Sequence, residues 1–136
     1  MKLSEAIRLG AMMRPQGKYN YMMNGRSCAI GAALEAIGIP VRDRGNDFSR
    51  DNEREALEEL KRRPEIKEWS ALNKKKNTHC PSCEYVDQGN FSGVISHLNN
   101  SHDWTRERIA EWVATIELAE TVEAAKVEEC QLAITK

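Results

Sequence analysis

No apolar run in the sequence approaches the roughly 18–20 residues a membrane span requires, and no positively charged leader followed by an apolar stretch opens it. These two absences predict a soluble, cytoplasmic protein with no membrane partner. Charge of one sign is missing as well: 20 Lys and Arg stand against 21 Asp and Glu, for a net charge of −1 and a pI near 6.3. Bulk electrostatics thus give a nucleic-acid backbone no advantage over any other partner. Cysteine is scarce, with four in 136 residues, and two of those four form a metal-type pair, so a disulfide framework is not expected in a reducing cytosol. A phosphate-cradling glycine loop, a dinucleotide fingerprint, a serine-centred elbow and an internal repeat are also lacking, which removes the usual signatures of nucleotide-dependent and hydrolytic enzymes.

What the chain does have is Cys80-Pro81-Ser82-Cys83 and, after thirteen intervening residues, His97 and His102 separated by four residues. This is the ligand order of a two-Cys two-His zinc finger, with the gap between the pairs one residue longer than usual. Four protein ligands close a tetrahedral shell and leave no position for water. The reading is therefore a structural Zn2+ at Cys80, Cys83, His97 and His102 that contributes folding energy rather than catalysis. His79, beside Cys80, is a spare imidazole expected at the surface or behind the ligands. In DNA-reading fingers the base-facing positions precede the first zinc histidine by one, four, five and seven residues; here they are Ser96, Gly93, Ser92 and Asn90. None can form the paired hydrogen bonds of Arg or Lys with guanine, so major-groove readout by this finger alone is disfavoured.

Around the finger the pattern is helical. Leu3, Ile7 and Ala11 make one stripe, with Ser4 as the expected cap, and Pro15 and Gly17 end that helix near Met13 to Gln16. Asn24-Gly25 is a two-residue hairpin signal. Ser27 is the expected cap of an apolar helix from Cys28 to Ile37. Its end is marked by Gly38 in the left-handed position, Ile39 reaching back to Leu34, and Pro40. Met22, Met23, Ile30, Leu34 and Ile37 read as core. A helix from Phe48 to Arg63 and a short one over 65–72, with Ile66, Trp69 and Leu72 inward, follow. Asn90 to Ser92 should start the finger helix. Thr105 caps a last helix in which Ile109, Trp112, Val113 and Ile116 keep helical spacing and Trp104 staples onto Ile109. Beyond Glu117 that helix has few large apolar residues, leaving it to project, to fray or to pair with a partner helix.

The expected architecture is mainly α: a helical domain over 1–73 with one small β-hairpin near 18–28, a zinc finger over 74–103, and a long C-terminal helix over 104–136 packing in part on the first domain. The segment His97-Leu98-Asn99, His102, Trp104-Thr105-Arg106-Glu107, Ile109-Ala110 and Trp112, following the Cys pair, resembles an uncharacterised family of small bacterial and phage-encoded zinc-finger-like proteins. Ser27-Cys28-Ala29-Ile30-Gly31-Ala32-Ala33 is similar to a helix-opening motif in the same proteins. The resemblance covers about a third of the chain. It implies a phage or bacterial origin and zinc at the four residues above; it implies no activity.

Function is expected to be binding: a non-enzymatic, zinc-stabilised adaptor or inhibitor presenting helical surface to a protein partner, with homodimerisation through the C-terminal helix as a further option. The alternative is a DNA- or RNA-associated regulator using Lys74, Lys75, Lys76, Arg106 and Arg108. A cysteine enzyme built on Cys28 at a helix N-terminus is disfavoured, because Ala29 to Ala33 reads as core and every His is at or beside the metal.

Overall fold

The computed structural model describes residues 1–18, 21–39, 41, 63–64, 68–69, 72, 78–85 and 91–134, and within them the protein is mainly helical with one two-stranded hairpin. The helix expected over Phe48 to Arg63, the basic run Lys74 to Lys76, and most of the helix expected over 65–72 lie outside the described residues.

Helix α1 spans Leu3–Ala11 and α2 spans Ala29–Ala36, with strands β1 (Met22–Met23) and β2 (Arg26–Ser27) between them. Asn24 and Gly25 both take positive φ, 53° and 72°, so the tight turn read from Asn-Gly is the turn that forms. Ser4 is not the cap of α1. Lys2 occupies that position in extended geometry with no side-chain hydrogen bond, and Ser4 is buried inside the first turn. Ser27 is likewise not the cap of α2, because its backbone is engaged: its amide donates to Pro15 O (3.0 Å) and its carbonyl accepts from Gly17 N (2.8 Å). The chain stays extended one residue longer, and Cys28 becomes the cap, its Sγ accepting from Gly31 N at 3.4 Å.

The end of α2 follows the sequence reading. Gly38 (φ 77°) donates to Glu35 O at 3.0 Å, Ile39 N donates to Leu34 O at 3.0 Å, and Leu34 with Ile39 is buried. Helix α1 crosses α2 at glycine: a Cβ on Gly10 would lie 1.9 Å from Ala32 O, so no side chain fits at that crossing.

Helix α3 covers Phe91–Ser101 and α4 covers Arg106–Ile134, about 43 Å at 1.5 Å per residue. Thr105 caps α4 as expected, its Oγ1 accepting from Arg108 N at 3.2 Å. One core joins Leu3, Ala6 and Ile7 of α1, Ala29 and Ala33 of α2, Phe91, Val94, Ile95 and Leu98 of α3, and Trp104, Ile109, Ala110 and Val113, with Leu72 and Cys80 included and Trp69 packed against it. Phe91 and Trp112 stack at 5.3 Å between centroids. The metal-type pair and its helix are therefore built into the main core through Cys80 and α3.

Among the described residues no helix is long and apolar enough to cross a membrane.

Candidate metal centre

Cys80-Pro81-Ser82-Cys83 folds into a knuckle because the backbone amides two residues past each cysteine turn back onto the sulfurs. Ser82 N donates to Cys80 Sγ and Tyr85 N to Cys83 Sγ, both at 3.4 Å. Cys80 N donates to Tyr85 O at 2.9 Å and closes the loop. The Ser82 and Tyr85 amide donors fix the positions of the sulfurs within the loop. Cys80 is buried and Cys83 exposed.

The histidines arrive from α3. His97 sits inside the helix, and its ring is covered on one face by the knuckle: Tyr85 stacks on it at 4.0 Å between centroids and 16° between planes. His102 follows the last residue of α3. Asp103 then adopts φ 54°, and Trp104 N donates to Leu98 O at 3.1 Å, so the chain doubles back directly after His102. That reversal brings His102 Nε2 to 3.1 Å from His97 Nε2, with Cys83 Sγ at 3.3 Å from His97 Nε2. The ligand atoms of Cys80, Cys83, His97 and His102 all lie within 4.8 Å of one another, an arrangement able to hold a metal ion. Burial, and secondarily the neighbouring His102, lowers the pKa of His97 from its ordinary value, which keeps the imidazole neutral and its nitrogen lone pair available.

Asn99, two residues past His97, is fully buried and anchors α3 to the rest of the protein. Its Oδ1 accepts from Ala29 N (3.1 Å) at the start of α2 and from Gln16 Nε2 (3.2 Å), and its Nδ2 donates to Gly17 O (2.9 Å) and Asn100 Oδ1 (3.0 Å). Gln16 carries the connection onward: its Nε2 donates to Trp104 O at 2.7 Å, and its Oε1 accepts from Arg106 N at 3.2 Å. One residue thus bridges α3, the turn after His102 and the first turn of α4. Sequence reasoning missed both Asn99 and Gln16. The available signal was Asn99 itself, an amide on the same helical stripe as Ile95.

Arg106, grouped from sequence with the nucleic-acid residues, is buried. Its NH1 donates to Ser27 Oγ (2.8 Å), and its NH2 donates to the carbonyls of Ala11 (3.2 Å) and Arg14 (2.6 Å), where α1 ends and leaves acceptors unfilled. The guanidinium is an internal strut, so it offers nothing to a phosphate. Arg108 lies 3.8 Å over the Trp104 ring, a cation–π contact at the start of α4. Lys74, Lys75 and Lys76 lie outside the described residues.

Cys28 is buried, and burial raises its pKa, only partly offset by the Gly31 amide and other backbone donors. A thiol held protonated in the core is a poor nucleophile. His79 is exposed and does not join the four-residue cluster. No family model matches the chain, and no curated protein or solved structure matches it either.

Proposed function

We propose that the protein is a non-enzymatic, zinc-stabilised adaptor of bacterial or phage origin that displays the outer half of α4 to a protein partner. The observation carrying this reading is the change in environment along a single helix. Ile109, Ala110 and Val113 are buried in the core, whereas from Leu118 to Gln131 every residue except half-buried Glu120 is exposed, Leu118 at 65%. A helical rod anchored at one end and bare at the other suits recognition better than catalysis.

Zinc is favoured by donor type and spacing. Tetrahedral coordination with Zn–N of about 2.0–2.1 Å and Zn–S of about 2.3 Å places two nitrogens about 3.3 Å apart and nitrogen and sulfur about 3.6 Å apart. The observed 3.1 Å and 3.3 Å lie close to both values. Two sulfurs with two imidazoles also suit zinc better than hard, oxygen-preferring cations. A closed shell assigns the ion a folding role: it ties the knuckle to α3, and Asn99 and Gln16 pass that constraint to α4.

The metal arm of the proposal is tested by zinc stoichiometry and circular dichroism. One zinc per chain is expected in the wild type, with loss of the metal and of helical signal in Cys80→Ser; unchanged stoichiometry and helicity in that variant would refute the structural role. The interaction arm is tested by crosslinking from position 125 in host extract, comparing the otherwise wild-type chain with Leu118→Glu/Val122→Glu. Identical crosslinked species from both would remove the outer half of α4 as a binding surface.

A further inference from the structure

Two of the three exposed large aliphatic residues on the outer half of α4, Leu118 and Val122, are aligned, while Val127 lies on the opposite side of the helix. At 3.6 residues per turn, Leu118, Val122, Ala125 and Glu129 follow one another at spacings of four, three and four, which places them on one stripe. That stripe lies more than a third of a turn around the helix from the face that Ile109, Val113 and Glu117 bury. Extending the core contacts of α1, α2 and α3 along α4 therefore cannot cover it. Leu118 is 65% exposed and Val122 47%, large fractions for aliphatic side chains on adjacent turns of one helix.

Charge selects among occupants. Between Leu118 and Gln131 the helix carries Glu120, Glu123, Glu128 and Glu129 against Lys126 alone. A second copy of this chain would meet its own sign of charge, and in a parallel pair Glu129 would face Glu129 on the stripe itself, which is destabilising. A helix with aliphatic residues at the same alternating spacing and Lys or Arg along its flanks meets neither difficulty. It covers Leu118, Val122 and Ala125 with apolar surface and brings a cation to Glu129.

Resting on the adaptor reading, we propose that Leu118, Val122, Ala125 and Glu129 form the docking stripe for a basic amphipathic helix of a partner protein. The small Ala125 allows close approach at the middle of the stripe, and Glu129 sets register by demanding a cation at one end. Helix-in-groove and coiled-coil recognition use this combination of apolar anchors and flanking charge.

The test uses two synthetic helices of about six turns, both with leucine at the alternating three- and four-residue spacing, one with lysine and one with glutamate at the flanks. Each carries a fluorophore and is titrated by anisotropy with the zinc-loaded full chain. The lysine peptide should bind at least about tenfold more tightly than the glutamate peptide. Leu118→Ser/Val122→Ser, which leaves charge unchanged, should weaken it by about tenfold or more. Glu129→Gln should cost about threefold and reduce the salt dependence.

Equal binding to the wild type and to the serine double variant would mean plain charge attraction and would overturn the stripe. Sedimentation equilibrium supplies the other discriminating result. A dimer abolished by the serine substitutions would make the occupant a second copy, overturning the basic-helix assignment while leaving α4 as an interaction surface. If neither peptide binding nor self-association responds to the serine substitutions, both the stripe and the adaptor reading of α4 fail.

Discussion

Replacing Asn99 by Ala is the most informative single perturbation of the fold, because one side chain serves four hydrogen bonds at the meeting point of α2, α3 and the Pro15–Gly17 segment. The expected cost follows from what the substitution leaves behind. Ala29 N, at the first turn of a helix and buried, loses its acceptor, and an unsatisfied buried donor costs about 1–3 kcal/mol. Gly17 O loses a donor but is only partly buried, so water can replace much of that bond. Gln16 Nε2 retains Trp104 O and loses little. With a small cavity added, the total comes to about 3 kcal/mol, a large share of the roughly 5–15 kcal/mol that separates folded from unfolded states.

Urea unfolding of zinc-loaded protein, with linear extrapolation and an unchanged m-value, measures this cost. Asn100→Ala is the internal control. Asn100→Ala removes the Asn100 Oδ1 acceptor but leaves the Asn99 bonds to Ala29 N, Gln16 Nε2 and Gly17 O in place, so it should cost less than Asn99→Ala. A cost below about 0.5 kcal/mol for Asn99→Ala, or equal costs for the two variants, would show that the Asn99 bonds do not hold α3 to α2 and would refute the mechanical link from the metal centre to α4.

Other outcomes follow from the same contacts. Gly10→Ala should lower stability by about 1–3 kcal/mol in thermal unfolding despite alanine's better helix propensity, because its Cβ would sit 1.9 Å from Ala32 O and force α1 and α2 apart. Arg106→Ala should destabilise by about 3 kcal/mol by stripping donors from the end of α1, whereas Arg108→Ala, which loses only a cation–π contact near the surface, should cost less than about 1 kcal/mol; equal effects would contradict the buried placement of Arg106. In the zinc-loaded protein, alkylation followed by mass spectrometry should label exposed Cys130 first and leave Cys28 unmodified until the protein unfolds, since burial keeps its thiol protonated at neutral pH.

The features legible in the sequence were those whose causes are local. Cys80, Cys83, His97 and His102 announce themselves because metal geometry restricts ligand spacing along the chain. Gly38 with Leu34 and Ile39, and Asn24 with Gly25, are settled within a few residues by backbone sterics. Misreadings arose where a distant partner decides. Ser27 looks like a helix cap until Pro15 and Gly17 claim its backbone, which moves the cap to Cys28. Arg106, followed by Glu107 and Arg108, looks like surface, yet its contacts are 79 to 95 residues away. Its spacing of three, four and seven from Ile109, Ala110 and Val113 puts it on the buried stripe, a signal that charge alone obscures.

The reversal at Asp103 leaves only three residues between His102, a member of the candidate metal cluster, and the first residue of α4. The buried first turns of α4 pass that joint's orientation to a lever arm beyond Glu117: a tilt of about ten degrees displaces the end of this arm, about 25 Å long, by roughly 4 Å. Small distortions among Asn99, Gln16 and the knuckle would therefore be magnified at the helix tip. Substitutions in the joint can redirect the tip in space without altering any residue on it.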